Sequence, residues 1–272
     1  MNQNTYNNVP EDYKERKEGV IYGEVNTIRY FSTTVGKERD VTIALPPNYT
    51  EEKKYPVVYL CHGLGQDHTQ WHYEGKVDVI LGNLLAQGKG AEMIFVMPNC
   101  RARMNDEANP KDEFSINNYE AFNNFYNEFQ KDLKPYIESH YSVKTGRENT
   151  AIAGFSMGGR VALHLGLKLQ DTFGYVGAFC PAPGLFGYTL NNVTEEGLYK
   201  REEFRVQEEY VGKTLVMITA GDEDCVVKGH PVSYHEQLDA NGVEHVWYVL
   251  PGGHDFNVVG KSFYNFVKEL FV

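Results

Sequence analysis

The segment best equipped for chemistry is Gly154-Phe155-Ser156-Met157-Gly158-Gly159, which carries the spacing G-x-S-x-G. A serine hydroxyl is a weak nucleophile at neutral pH. It needs an imidazole to take its proton and a carboxylate to hold that imidazole. Glycines two residues to either side suit a tight strand-to-helix turn that presents the hydroxyl, because side chains there would strike neighbouring backbone. Chance matching in a chain of this composition produces about 0.06 such patterns, so the serine is read as a nucleophile.

Its partners are expected later in the chain. The apolar run TLVMITAG ends in Gly221-Asp222-Glu223-Asp224, and HVWYVLP ends in Gly252-Gly253-His254-Asp255-Phe256. Of the nine histidines, His254 alone combines a position after the last strand with flanking glycines that leave room for a loop. Ser156, Asp224 and His254 are therefore the expected nucleophile, acid and base. Asp222 is the competing acid, disfavoured because the first acidic residue after a strand tends to form the turn. Asp255 sits too close along the chain to reach the His254 Nδ1 and is read as a cap of the last helix. A developing oxyanion needs two donors. The Met157 N–H at a helix start and the Leu64 N–H of the loop His62-Gly63-Leu64-Gly65-Gln66-Asp67 are the candidates. His62, His68 and His72 beside Asp67 offer a rival metal reading, but no H-x-H or H-E-x-x-H spacing supports it. No metal and no cofactor is expected, and a histidine base implies activity that rises as the imidazole loses its proton.

These residues must be positioned by a regular frame, and the pattern supplies one. Strand signals cover a pair across 20–46 and the runs at 57–63, 93–99, 150–156, 173–179, 214–221 and 245–251. Helical patterns fall near 77–87, 118–141, 157–169 and 231–240 and at the C-terminus. In 118–141 the residues Tyr119, Phe122, Phe125, Tyr126, Phe129, Leu133, Tyr136 and Ile137 recur at three- and four-residue steps, a core-facing stripe. Strands alternating with helices imply a mostly parallel sheet covered on both faces. The aperiodic stretches 100–117 and 181–212 both follow strands, so they are the expected walls of a cleft at the carboxyl edge. Residues 1–18 are polar, without period, and read as an arm that orders late or frays; residues 19–272 read as a single domain.

Composition bounds the rest. With 26 basic and 37 acidic residues the net charge is −11, which repels nucleic acid and anionic membrane surfaces. No apolar run reaches the roughly 18–20 residues of a membrane span. The N-terminus lacks the basic start and apolar middle of a signal peptide, so the chain as it stands reads as cytoplasmic, and as secreted if a leader has been removed. Oligomeric state is left open. Cys61, Cys100, Cys180 and Cys225 show no C-x-x-C or metal-finger spacing, and Cys61 and Cys180 are expected as buried thiols.

Residues 60–71 (LCHGLGQDHTQW), VMPN at 96–99, AIAGFSMGGRVALHLGL at 151–167, GYVGAFCPAPG at 174–184, GDEDCVV and GGHDF together resemble the esterase D type of α/β-hydrolase. Within that group the chain is similar to carbohydrate esterase family 1, the feruloyl and acetyl xylan esterases. The similarity spans nearly all of residues 35–270. S-formylglutathione hydrolases, enterochelin-type siderophore esterases and mycolyl transferases are similar in the same places. The resemblance implies an α/β-hydrolase fold, the triad Ser156, Asp224 and His254, and a carbohydrate-linked ester as substrate, cleaved through an acyl-enzyme. It also implies Trp71 near the oxyanion loop, and many relatives carry serine where this chain has Cys180. Trp71 and Phe186, with Tyr188, are the candidate substrate-lining aromatics. The rival readings are a small-ester hydrolase or thioesterase with the same triad, an inactive carbohydrate-binding module, and a metal hydrolase built on residues 62–72.

Overall fold

The computed structural model describes Tyr6, residues 8–190 and residues 193–272. Along them run β1 (Val25–Ser32), β2 (Lys37–Ala44), β3 (Val57–Cys61), α1 (Gln70–Tyr73), α2 (Val77–Ala86), β4 (Ile94–Pro98), α3 (Ile116–Glu128), α4 (Lys134–His140), β5 (Thr150–Phe155) and α5 (Met157–Lys168). β6 (Tyr175–Phe179), β7 (Phe186–Leu190), β8 (Val193–Gly197), β9 (Leu215–Gly221), α6 (His230–Ala240), β10 (Val246–Leu250) and α7 (Phe256–Glu269) follow.

Eight strands form one sheet in the order β1-β2-β4-β3-β5-β6-β9-β10. The pairs β1–β2 and β2–β4 are antiparallel, and the other five neighbours are parallel. This is the α/β-hydrolase arrangement anticipated above. Strands β3, β4 and β5 are buried at every position, as strands covered on both faces must be. Two neighbouring residues of β6 show how the layers are divided. A Cβ added to Gly166 of α5 would lie 2.4 Å from Val176 Cγ2, whereas one on Gly177 would meet Phe266 of α7. Successive strand residues point to opposite faces, so α5 and α7 cover opposite sides of the sheet. A single buried cluster, running in sequence from Tyr6 to Leu270, joins these layers.

Three local features depart from the sequence pattern. The helix expected over 118–141 is interrupted: α3 passes into a π-helical turn over Phe129–Leu133 before α4. Pro135, in the first turn of α4, has no N–H to donate to the Lys131 carbonyl, so the i→i−4 ladder fails there. The stretch 181–212 contains the antiparallel pair β7–β8, too short and glycine-flanked to show a period. The polar arm is also not frayed over its described part. Tyr6 stacks on Tyr248 with ring centroids 4.6 Å apart, Asn83 Nδ2 donates to the Tyr13 and Glu15 carbonyls, and Arg16 pairs with buried Asp78 at 2.8 Å. Irregular chain anchored by isolated tyrosines and backbone carbonyls leaves no periodic trace; residues 1–5 and 7 lie outside the described residues. No helix among the described residues is long and apolar enough to cross a membrane.

Candidate active site

Strand β5 carries the chain to the carboxyl edge of the sheet and turns sharply into α5 at Ser156, whose φ of 55° and ψ of −116° are rare for a residue with a side chain. The turn is held by backbone bonds: the Ser156 N–H donates to Phe179 O at 2.9 Å, and the Ser156 carbonyl accepts from Arg160 and Ala182 N–H at 3.0 and 2.9 Å. The flanking glycines are required by space. A Cβ at Gly154 would lie 2.2 Å from Gly158 O, and one at Gly158 would lie 2.0 Å from Cys61 O; backbone atoms on both sides cannot give way.

Three loops at this edge converge. His254 Nε2 lies 2.8 Å from Ser156 Oγ, and His254 Nδ1 lies 2.7 Å from Asp224 Oδ2. A carboxylate only accepts, so the Nδ1 proton is donated to Asp224 and the bare Nε2 faces the serine hydroxyl. Asp224 Oδ1 accepts from the Val226 and Val227 N–H groups, which fixes the carboxylate. Asp222 takes a different part: its Oδ1 accepts from Gly252 N–H at 2.8 Å and ties the end of β9 to the loop bearing His254. Asp255 caps α7 by accepting from Asn257 and Val258 N–H. Cys180, buried and with φ of 48°, stands beside the pair, within 4.8 Å of a ligand atom of both Asp224 and His254. Burial, reinforced by Asp224, pushes its thiol pKa well up, so it is a neutral neighbour of the carboxylate.

The loop after β3 is braced from below. The Gly63 N–H is engaged by Gln70 Oε1 at 2.8 Å. The Leu64 carbonyl accepts from Arg101 Nη1 at 2.8 Å, while Arg101 Nη2 donates to the Asp106 and Glu107 carbonyls. Asn109 N–H donates to Gly65 O, so the stretch 100–117 does wall this loop. Beneath Arg101, buried Arg39 donates to the Asn99 and Arg101 carbonyls and pairs with buried Glu128. Sequence reading missed Arg101, Gln70 and Arg39. Arg101 had a usable signal, a basic residue three positions beyond a buried strand at the carboxyl edge; the other two had none.

The histidines of residues 62–72 do not share a centre. His62 Nδ1 lies 2.7 Å from Gly63 O and its Nε2 accepts from Cys100 N–H, His68 meets Thr42 Oγ1, and His72 faces Asp78. Burial, helped by the Arg101 charge, holds the His62 pKa down to about 4. In the unfolded chain a histidine titrates near 6.5. Below that pH the unfolded state binds a proton that the folded state refuses, so stability falls as pH drops from about 6.5 towards about 4. Half-buried His164, held down to about 3 by desolvation and the Arg160 charge, acts with the same sign. Urea unfolding is expected to show a stability loss of about 2–3 kcal/mol from His62 alone between pH 7 and 4.5, and His62→Gln should remove that share. An unchanged pH slope in the variant would refute this account.

One expected substrate contact is corrected. Trp71 is 1% exposed: α1 turns it inward between Phe179, Phe256 and Phe263, and its Nε1 donates to Cys61 O at 2.9 Å. It anchors the end of β3 and does not line a cleft. Phe186 is 7% exposed, as Ser156 is; its ring packs on Phe204, Tyr234 and the Arg201 guanidinium and lines a cavity with His230 and Ser233. Tyr188 stacks on Tyr119 of α3. All four cysteines are free thiols, three of them buried.

Known proteins resemble this chain over most of its length. A family model described as putative esterase matches residues 32–269. The chain is 40% identical to a CE1 ferulic acid esterase from Anaeromyces mucronatus, solved in complex with ferulic acid, over 97% of this chain and 96% of that one, with a TM-score of 0.88. It is 30% identical over 176 residues to an endo-1,4-beta-xylanase/feruloyl esterase of Xylanibacter ruminicola, which covers 61% of this chain and 23% of that protein. The chain thus spans about a quarter of that relative's length. An S-formylglutathione hydrolase from Staphylococcus aureus, 16% identical over 92% of this chain and 100% of the other with a TM-score of 0.67, shares the fold.

Proposed function

Since the chain belongs to the putative esterase family and is similar to carbohydrate esterase family 1 ferulic acid esterases, we propose that it is a serine carboxylesterase releasing feruloyl groups from plant cell-wall polysaccharide. The observation that carries the reading is the unbroken hydrogen-bonded line from Ser156 Oγ through His254 to Asp224, set on a strained strand-to-helix turn. Ser156 Oγ attacks the ester carbonyl carbon as its proton passes to His254 Nε2, and Asp224 stabilises the imidazolium that forms. Charge on the carbonyl oxygen is met by the Met157 N–H, at the positive end of α5, and by the Leu64 N–H, while Arg101 holds the following peptide of that loop through the Leu64 carbonyl. His254 then returns the proton to the departing sugar hydroxyl, leaving a feruloyl-Ser156 ester. Water, deprotonated by His254, attacks that ester, and collapse of the second tetrahedral intermediate frees the acid and restores the serine. The reading makes no demand on a cofactor or metal.

The acyl group is chosen by comparing ferulate release from feruloylated arabinoxylan with acetate release from acetylated xylan. Ferulate release is expected to exceed acetate release by about tenfold or more in kcat/KM, the scale of discrimination a fitted acyl pocket provides. The reverse order would move the assignment to an acetyl xylan esterase. Turnover of S-formylglutathione alone would move it to a thioesterase.

A further inference from the structure

We propose that His235, Asp239 and His245 form a binding site for one divalent transition-metal cation of the zinc type, outside the ester-cleaving apparatus. His235 and Asp239 lie one turn apart on α6, and His245 is the residue before β10. His235 Nδ1 and His245 Nε2 are 2.7 Å apart, and one ligand atom from each of the three residues lies within 4.8 Å of the others.

Proton placement singles this pair out. His245 Nδ1 is 2.8 Å from Val243 O, a carbonyl that only accepts, so Nδ1 carries the proton and Nε2 directs a lone pair at His235. His235 Nε2 lies 3.5 Å from Asp239 Oδ2. The 2.7 Å contact is then a hydrogen bond from His235 Nδ1–H to His245 Nε2, and a cation bound here takes the place of that proton. With that proton displaced, both nitrogens direct lone pairs at the ion. A backbone carbonyl behind one imidazole and a carboxylate behind the other are the outer partners that metal-bound histidines take. The His235 ring is further fixed by stacking on Trp247 at 4.9 Å, and a cavity of about 400 Å³ lined also by Glu244 opens onto the pair, with space for water ligands. Tetrahedral zinc at about 2.1 Å from each nitrogen sets them about 3.4 Å apart, so the two rings separate by about 0.7 Å on binding.

His245 stands before the amino end of β10, and His254 follows its carboxyl end. The five residues of the strand separate the two sites by about 17 Å. The ion would therefore clamp α6 to the edge strand of the sheet and take no part in ester cleavage.

The test uses the untagged full chain, freed of metal with a chelator and titrated with zinc chloride by calorimetry. One equivalent is expected to bind at micromolar concentration or tighter, with an affinity about tenfold or more weaker in His235→Ala, His245→Ala and Asp239→Asn, and zinc should raise the Tm of the parent chain but not of His235→Ala. Ala at 235 suits the helix, so that variant keeps the test valid if His245→Ala folds poorly. Absence of stoichiometric binding, or affinities equal within about twofold across parent and variants, would overturn the site. Esterase activity is expected to be the same in the metal-free and zinc-loaded chain, so a failure here leaves the ester reading untouched, and the reverse.

Discussion

Replacing Ser156 with alanine is expected to lower kcat on methyl ferulate by about 10⁵- to 10⁶-fold, the scale seen when the nucleophile of such a triad is removed. The fold should be unchanged. What holds this turn is backbone: the Ser156 N–H to Phe179 O and the Ser156 carbonyl to Arg160 and Ala182 N–H, all kept in Ser156→Ala. The side chain itself contributes one hydrogen bond, to His254. Alanine meets the same left-handed strain at φ of 55° as serine does, so the urea midpoint should move little. Ferulate affinity, measured by calorimetry, should also persist, because the two amide donors are untouched. A variant that keeps more than about 1% of kcat with its fold intact would remove Ser156 from the nucleophile's role.

The contrast between Ser156 and Trp71 shows what was legible in the sequence. The elbow could be read because its requirement is local: glycines at 154 and 158 answer to atoms within the same turn and the adjacent strand end. The strands could be read because burial on both faces leaves continuous apolar runs. His254 and Asp224 followed from topology, since parallel strands deliver their following loops to one edge. Trp71 could not be placed this way. Whether an aromatic beside a loop turns into the cleft or into the core depends on where Phe179, Phe256 and Phe263 arrive from distant segments. Arg101 poses the same difficulty in reverse. It looks like a surface charge, yet it is buried, because three carbonyls from two loops are gathered around its guanidinium. Its place three residues beyond a buried strand was a local hint, but the loop carbonyls that satisfy it leave no spacing to detect.

The choice between neighbouring acids gives the second large effect. Asp224→Asn is expected to lower kcat/KM by about 10⁴-fold, whereas Asp222→Asn should stay within about threefold of the parent chain. An asparagine at 224 keeps the shape and, through its amide oxygen, the bonds from Val226 and Val227 N–H. The atom then facing His254 Nδ1 is an NH₂ group. His254 must present a lone pair to that group, which moves its proton to Nε2 and removes the base from Ser156 Oγ. The negative charge that stabilises the imidazolium is lost as well, and neutral Cys180 beside it cannot replace that charge. An asparagine at 222 still accepts from Gly252 N–H, the bond that its carboxylate makes now, so the loop carrying His254 keeps its place. Both variants are measured on the same ester at the same pH. If Asp222→Asn proves the more damaging, the carboxylate that orients His254 during turnover is Asp222, and the loop between β9 and α6 must rearrange to bring it there.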